Sequence, residues 1–276
     1  MKKMISLDIG GTLYNHESIK NSLGKINNNF NLGMSGLAML QLVRLMQSGR
    51  IILINSLMQD GTMLAKILSD INYFYQNNLT AYATYEKEEL QSIFENNFYI
   101  SSYGGRRISK LKFIQDSVIN YTIKERIIHP RHIHNITKLI TASHKNIKIQ
   151  DIIFKYNSEV YKNSLYEDCS LDKSHIALID IKHLDELQCN NLIHNLELLL
   201  PVEYQIVRDV DKIEIGKLAG KKLAICEICD ILDIDTNNVL HIGDASPDML
   251  EGIDYQIVDG VKSSHKKSVE EVLHKM

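Results

Sequence analysis

The chain has 276 residues, of which 44% are hydrophobic and 24% charged, and its formal net charge is -3. This length suits one large domain or two modest ones, and the balance excludes both a disordered tail and a basic surface that gathers nucleic acid or anionic lipid. No stretch approaches the roughly 18 to 20 apolar residues of a membrane-spanning helix, and Asp8 interrupts the N-terminal run before a signal-peptide core can form; a cytoplasmic location is expected.

In chain order, the first element is Met4-Ile-Ser-Leu7, a short apolar run that stops at Asp8-Ile-Gly-Gly-Thr12. Gly36 to Gln47 carries apolar residues at helical spacing, Ile51-Ile-Leu-Ile-Asn-Ser56 is a second short apolar run, and Thr62 to Leu68 is helix-like. From about Leu111 to Val210 the pattern changes. Ile147–Phe154, Ile176–Ile181, Val202–Val207 and Lys212–Ile215 are short runs with polar residues interleaved, and an amphipathic helix spans Leu184 to Leu200. Helical spacing returns at Lys222 to Leu232, and Val239-Leu-His-Ile-Gly-Asp244 is a third abrupt apolar run. Abrupt apolar runs alternating with helices mark the buried strands of a parallel sheet. The fold class predicted is therefore α/β, a doubly wound (Rossmann-like) parallel-sheet core, and the half-polar middle segment reads as an inserted α+β domain. Ligands of such a sheet lie in the crevice at the carboxyl ends of its strands, a placement that gathers Asp8, Ser56 and Asp244.

The cysteines add little chemistry. Cys226 and Cys229 form the one CxxC pair, but no second pair completes a zinc set, and the helical spacing around them predicts core thiols.

The residues at the strand ends carry more. Glycines and a threonine behind a strand-terminal carboxylate let backbone N–H groups approach a phosphate, while the carboxylate can hold a metal ion or attack phosphorus. Gly243-Asp244-Ala-Ser-Pro-Asp248 supplies two further carboxylates, a donor set suited to a hard divalent cation. A DxGGT run also opens the nucleotide half of actin-fold sugar kinases, but those need a second glycine-rich motif late in the chain, and Gly216 and Gly220 do not form one.

Together these segments resemble the motifs of the haloacid dehalogenase superfamily of phosphohydrolases. Asp8-Ile-Gly-Gly-Thr-Leu13 is similar to DxDGTL, and Gly243 to Leu250 to GDxxNDxxML; Gly49 to Ser56 matches the second motif, and Asp211-Lys-Ile-Glu-Ile215 leading to Lys221 matches the third. Asp8 and Ser56 are 48 residues apart (56 minus 8), whereas Ser56 and Lys221 are 165 apart (221 minus 56). The long insertion thus falls where the family places its type-II (IIB-like) cap, and Ile100 to Gly105 resembles that branch's strand ending in NGA, with Tyr103 for Asn. The resemblance implies a core of residues 1–112 and 212–276 and a cap of 113–211. It implies a Mg²⁺-dependent phosphatase of a small phosphorylated metabolite, a sugar phosphate by subfamily. Asp8 would be the nucleophile, Gly11, Thr12, Ser56 and Lys221 would bind the phosphate, and Asp8, the Gly10 carbonyl, Asp244 and Asp248 would hold the metal. Asn55 competes with Ser56, and Lys222 and Lys217 with Lys221, for the phosphate-binding places.

One departure bears on activity. Gly10 stands where the family has its general-acid Asp, so hydrolysis is expected to be impaired, and a degenerate member that binds a phosphorylated ligand with little turnover is the alternative. His129-Pro-Arg-His132-Ile-His134 is expected to be a solvated or substrate-facing cap loop, and Arg106, Arg107, Lys110 and Lys112 a solvated basic face.

Overall fold

The computed structural model describes residues 3–10, 12–14, 34, 36–56, 62–77, 85–115, 117–143, 152–156, 159–160, 175–244, 249–258 and 268–276. In chain order its elements are β1 (Met4–Leu7), α1 (Gly36–Gln47), β2 (Ile51–Asn55), α2 (Thr62–Asn77), α3 (Lys87–Asn97), β3 (Phe98–Ser102), β4 (Arg107–Ile114) and β5 (Ser117–Glu125). There follow α4 (Pro130–Ser143), β6 (Ile152–Tyr156), β7 (Glu159–Val160), β8 (Ile176–Asp180), α5 (Glu186–Leu199), β9 (Tyr204–Arg208) and β10 (Lys212–Lys217). The last are α6 (Lys221–Leu232), β11 (Val239–Gly243), β12 (Asp254–Ile257) and α7 (Val269–His274). Among the described residues no helix is long and apolar enough to cross a membrane.

Two compact units divide the chain. The first comprises Met1–Met58, Thr62–Lys124 and Gly220–Met276, the second Gln59–Gly61 and Glu125–Ala219. The first is built on a seven-stranded sheet of order β12-β11-β1-β2-β3-β4-β5. Strands β12 through β3 are mutually parallel and β4 is antiparallel to β3. Helices cover both faces, which is why the central strands read as apolar runs. Alternation sorts the side chains: Ile5, Leu7, Ile52, Ile54, Ile100 and Ile242 share one core with α1, α2, α3 and α7. Met4, Leu53, Tyr99 and Val239 share the other with Ala224, Ile225, Ile228 and Cys229 of α6. Cys229 is buried and Cys226 half-buried, both as free thiols, so the helix-face reading of the CxxC pair holds.

The second unit is an antiparallel sheet of order β7-β6-β8-β10-β9, with β8, β10 and β9 packing Ile179, Ile213, Ile215 and Tyr204 against α4 and α5. Asp185 caps α5 in a capping box with Gln188.

The units divide the chain after Lys124 and before Gly220, 12 and 8 residues later than the expected 112 and 211 (124 minus 112; 219 minus 211). The physical reason is sheet membership. Residues 113–124 complete β4 and form β5 of the large sheet, where Phe113, Val118 and Ile123 pack on its cores, whereas β10 pairs with β8 and β9 of the small one.

Two local expectations are corrected. His129 to His134 is not a loop: Pro130 opens α4, its fixed φ suiting the first helical position, and the Arg131 N–H donates to His129 Nδ1 at 3.2 Å. Nor are Arg106 and Arg107 a solvated face, since they are only 3% and 8% exposed. Arg106 donates to the Tyr103 carbonyl and Arg107 to Thr122 Oγ1, at 3.2 and 2.8 Å. Lys110 and Lys112 lie over the rings of Tyr99 and Tyr121.

Candidate active site

The period-two alternation of β1 sets the site. Met4 and Ser6 point to the α6 face, and the ladder continues through Asp8, whose N–H donates to the Ile242 carbonyl at 2.9 Å. Asp8 thus ends β1 beside the carboxyl end of β11, on the face where α6 begins. Lys221 is the first residue of that helix, and its ammonium pairs with Asp8 Oδ1 at 2.8 Å. Both side chains are largely shielded, at 6% and 13% exposed for Lys221 and Asp8, so this is not a loose surface ion pair. Lys221 is buried here, whereas Lys222 is exposed and Lys217 ends β10.

Behind Asp8 the chain turns tightly. The N–H groups of Thr12, Leu13 and Tyr14 converge on the Ile9 carbonyl at 3.3, 3.1 and 2.9 Å. The turn buries Thr12, and its Oγ1 has no hydrogen-bond partner among the described residues. A buried hydroxyl without a partner calls for a ligand or water. Tyr14 anchors the far end of the turn by donating to Asp70 Oδ2 at 2.6 Å, and Lys66 pairs with the other oxygen of Asp70 at 2.9 Å. Burial, with the Asp70 carboxylate second, holds the Tyr14 hydroxyl well above its ordinary pKa and keeps it a donor.

At the end of β2, Ser56 is buried and its N–H donates to the Ser101 carbonyl at 3.2 Å. Asn55 is fully buried on the α6 face, and its amide is spent inward, on the Lys221 carbonyl at 2.9 Å and Ser6 Oγ at 3.4 Å. Asn55 closes β2, and Ser56 follows it at the carboxyl end of the strand. Ser101 and Ser102, which close β3, also bury hydroxyls that have no partner among the described residues. Asp244 follows Gly243 at the end of β11, whose carbonyl accepts from Val258 N–H at 2.8 Å. Gly11 and Asp248 lie outside the described residues.

Among the described residues no group of three or more His, Cys, Asp or Glu side chains gathers round one point as a metal site. The donors that stand at the strand ends are the carboxylates of Asp8 and Asp244 and the carbonyl of Gly10, all hard oxygens, and they match a hard divalent cation in kind.

Two polar residues inside apolar strands, Ser6 and His241, were not singled out by motif reasoning. The signal was there: each interrupts a run that is otherwise buried and apolar, which a strand core tolerates only with hydrogen bonds.

Solved structures share this architecture. A haloacid dehalogenase-like hydrolase from Bacteroides thetaiotaomicron is similar over 100% of this chain and 99% of its own, with 16% identity and a TM-score of 0.59. A phosphatase of the haloalkanoate superfamily from the same organism is similar over 90% and 80% of the two chains, with 12% identity and a TM-score of 0.52. A subclass IIB sugar phosphatase of the superfamily is similar over 98% and 91%, with 13% identity and a TM-score of 0.52. No family profile and no curated protein matches the sequence at a significant level. The chain thus has the fold of haloacid dehalogenase-like hydrolases, an α/β doubly wound core with a second, α+β unit inserted in it.

Proposed function

We propose that the protein is a phosphohydrolase that transfers the phosphoryl group of a small phosphorylated metabolite, a sugar phosphate by the likeness of its fold, to Asp8 and then to water. The observation that carries this reading is the Asp8–Lys221 pair at 2.8 Å, at the carboxyl end of a parallel sheet, with the buried Thr12 hydroxyl in the turn that follows Asp8.

The roles in this proposal are as follows. An oxygen of Asp8 attacks phosphorus while the ester P–O bond breaks, and the leaving alkoxide takes a proton from water. A second water then attacks phosphorus, which restores the Asp8 carboxylate and releases inorganic phosphate. Lys221 aligns the carboxylate before attack and neutralises phosphoryl oxygens, and Thr12 and Ser56 donate hydroxyls to them, with the backbone N–H of Gly11 beside Thr12. Asp8, the Gly10 carbonyl, Asp244 and Asp248 would hold Mg²⁺, which supplies charge neutralisation for the phosphoryl group. The second unit takes the part of a cap that selects the leaving group.

Gly10 has no side chain to give or take a proton, and this favours a second reading, a chain that binds a phosphorylated ligand and turns it over poorly. Phosphate release from a panel of sugar phosphates with Mg²⁺ separates the two. Release that is abolished by Asp8→Asn and by chelation supports hydrolysis. A stable complex with Mg²⁺ and beryllium fluoride without phosphate release supports the binding reading, and neither release nor complex refutes both.

A further inference from the structure

We propose that Asn55 is a positioning residue, one that fixes where the Lys221 ammonium sits by holding the first turn of α6 on β2. This inference builds on the proposed role of the Asp8–Lys221 pair.

Helix α6 starts without a side-chain cap: Gly220 occupies that place and offers none. Something else must set the rotation of the first turn, because a turn of helix free to twist carries the Lys221 side chain off Asp8. Two contacts do this, one from β2 and one from the turn between β3 and β4. Asn55 donates its amide to the Lys221 carbonyl at 2.9 Å, and Gly105 packs on Gly220 so closely that a Cβ at residue 105 would lie 2.7 Å from the Gly220 oxygen. Gly105 ends a turn in which Tyr103, Gly104 and Gly105 all have positive φ, at 53°, 64° and 88°, a conformation that is strained for Tyr103.

Asn55 is itself anchored. Its amide also reaches Ser6 Oγ at 3.4 Å, and Ser6 Oγ lies 3.0 Å from His241 Nδ1. Ser6 Oγ thus links Asn55 to His241, and one buried chain of polar groups ties β11, β1, β2 and the start of α6 together. Alternation puts Ser6, Asn55 and His241 on the same face as Asp8. The arrangement leaves Asn55 Oδ1 buried with no partner among the described residues. An aliphatic residue would fill the middle of a parallel sheet without that cost, so the amide is there for what it holds.

The test uses the whole chain labelled with ¹⁵N-lysine, the Lys221 ammonium signal assigned by its loss in Lys221→Met, together with orthovanadate binding in Mg²⁺. Asn55→Leu removes the donor and keeps a side chain of similar size; Asn55→Ala stands in should that variant fail to fold, and Gly105→Ala perturbs the first turn of α6 from the turn between β3 and β4. The inference expects each variant to shift or broaden the Lys221 signal while the other lysines stay in place. It also expects the Asn55 change to weaken vanadate binding about tenfold when Lys221 is present and less than about twofold in Lys221→Met. A folded Asn55 variant with an unmoved Lys221 signal overturns it, as does an equal loss of vanadate binding in both backgrounds. A wild-type chain whose Lys221 signal responds to Asn55 but which binds no vanadate refutes the phosphohydrolase reading alone and leaves the positioning role standing.

Discussion

Removing Lys221 is the sharpest perturbation available. At 2.8 Å and an effective dielectric of about 20, the attraction within the pair is about 6 kcal/mol before desolvation is subtracted. Lys221 and Asp8 are 6% and 13% exposed, so water recovers little of the lost stabilisation when one partner is removed, and breaking such a pair typically costs about 3 to 5 kcal/mol. Lys221→Met keeps the aliphatic stem and removes the charge, leaving the Asp8 carboxylate shielded and unneutralised. We expect it to destabilise the chain by about 3 kcal/mol, a drop in Tm of roughly 6 to 12 °C for a protein of this size class. Asp8→Asn strands the ammonium and should cost a similar amount. The double variant removes both charges and should regain at least half of the loss. Urea unfolding of the four proteins, followed by a probe in the first unit, gives the cycle. A cost below about 1 kcal/mol for Lys221→Met, or single losses that simply add in the double variant, would refute the reasoning by showing the pair to be a solvated one.

Three further outcomes are expected. Gly10→Asp, which returns a proton-transferring side chain beside Asp8, should raise phosphate release by about 10² to 10⁴ if general acid–base chemistry is what the native chain lacks; an unchanged rate in a phosphate-release assay contradicts this. Burial, with His129 second, holds His132 below its ordinary pKa, and its Nδ1 lies 2.8 Å from the Tyr204 hydroxyl. Its contribution is therefore complete above about pH 6.5 and lost as the pH falls through the lowered value, so the stability gap between the native chain and His132→Gln should narrow from pH 7.5 to pH 5 in urea titrations, and a widening gap is the wrong sign. Burial pushes the Cys229 thiol up to about 11, so alkylation at pH 8 followed by peptide mass mapping should modify Cys226 well before Cys229; equal labelling falsifies the burial argument.

Much of this was readable in the residues. The parallel strands, and the place of Asp8 just past the carboxyl end of the first of them, follow from abrupt apolar runs ending in polar residues, because buried parallel strands leave few other arrangements. The allegiance of residues 113–124 was not readable. Ser117–Glu125 alternates between exposed and half-buried positions, and a period of two marks a half-covered strand without saying which sheet it joins. Arg106 and Arg107 looked like surface residues because burial of a charge depends on partners distant in sequence, here the Thr122 hydroxyl and a turn carbonyl. Asn55 had been weighed only as a rival to Ser56; its contact with Lys221 spans 166 positions and no local pattern encodes it.

The claim on which the rest depends is that Asp8 takes up the phosphoryl group. Incubating the chain with a turned-over sugar phosphate and Mg²⁺, quenching with borohydride and sequencing the N-terminal peptide by mass spectrometry tests it, since an acyl phosphate is reduced to the alcohol and a free carboxylate is not. The account predicts homoserine at residue 8. Phosphate release with residue 8 recovered as unmodified aspartate under every quench time, or reduction at a different carboxylate, would contradict it.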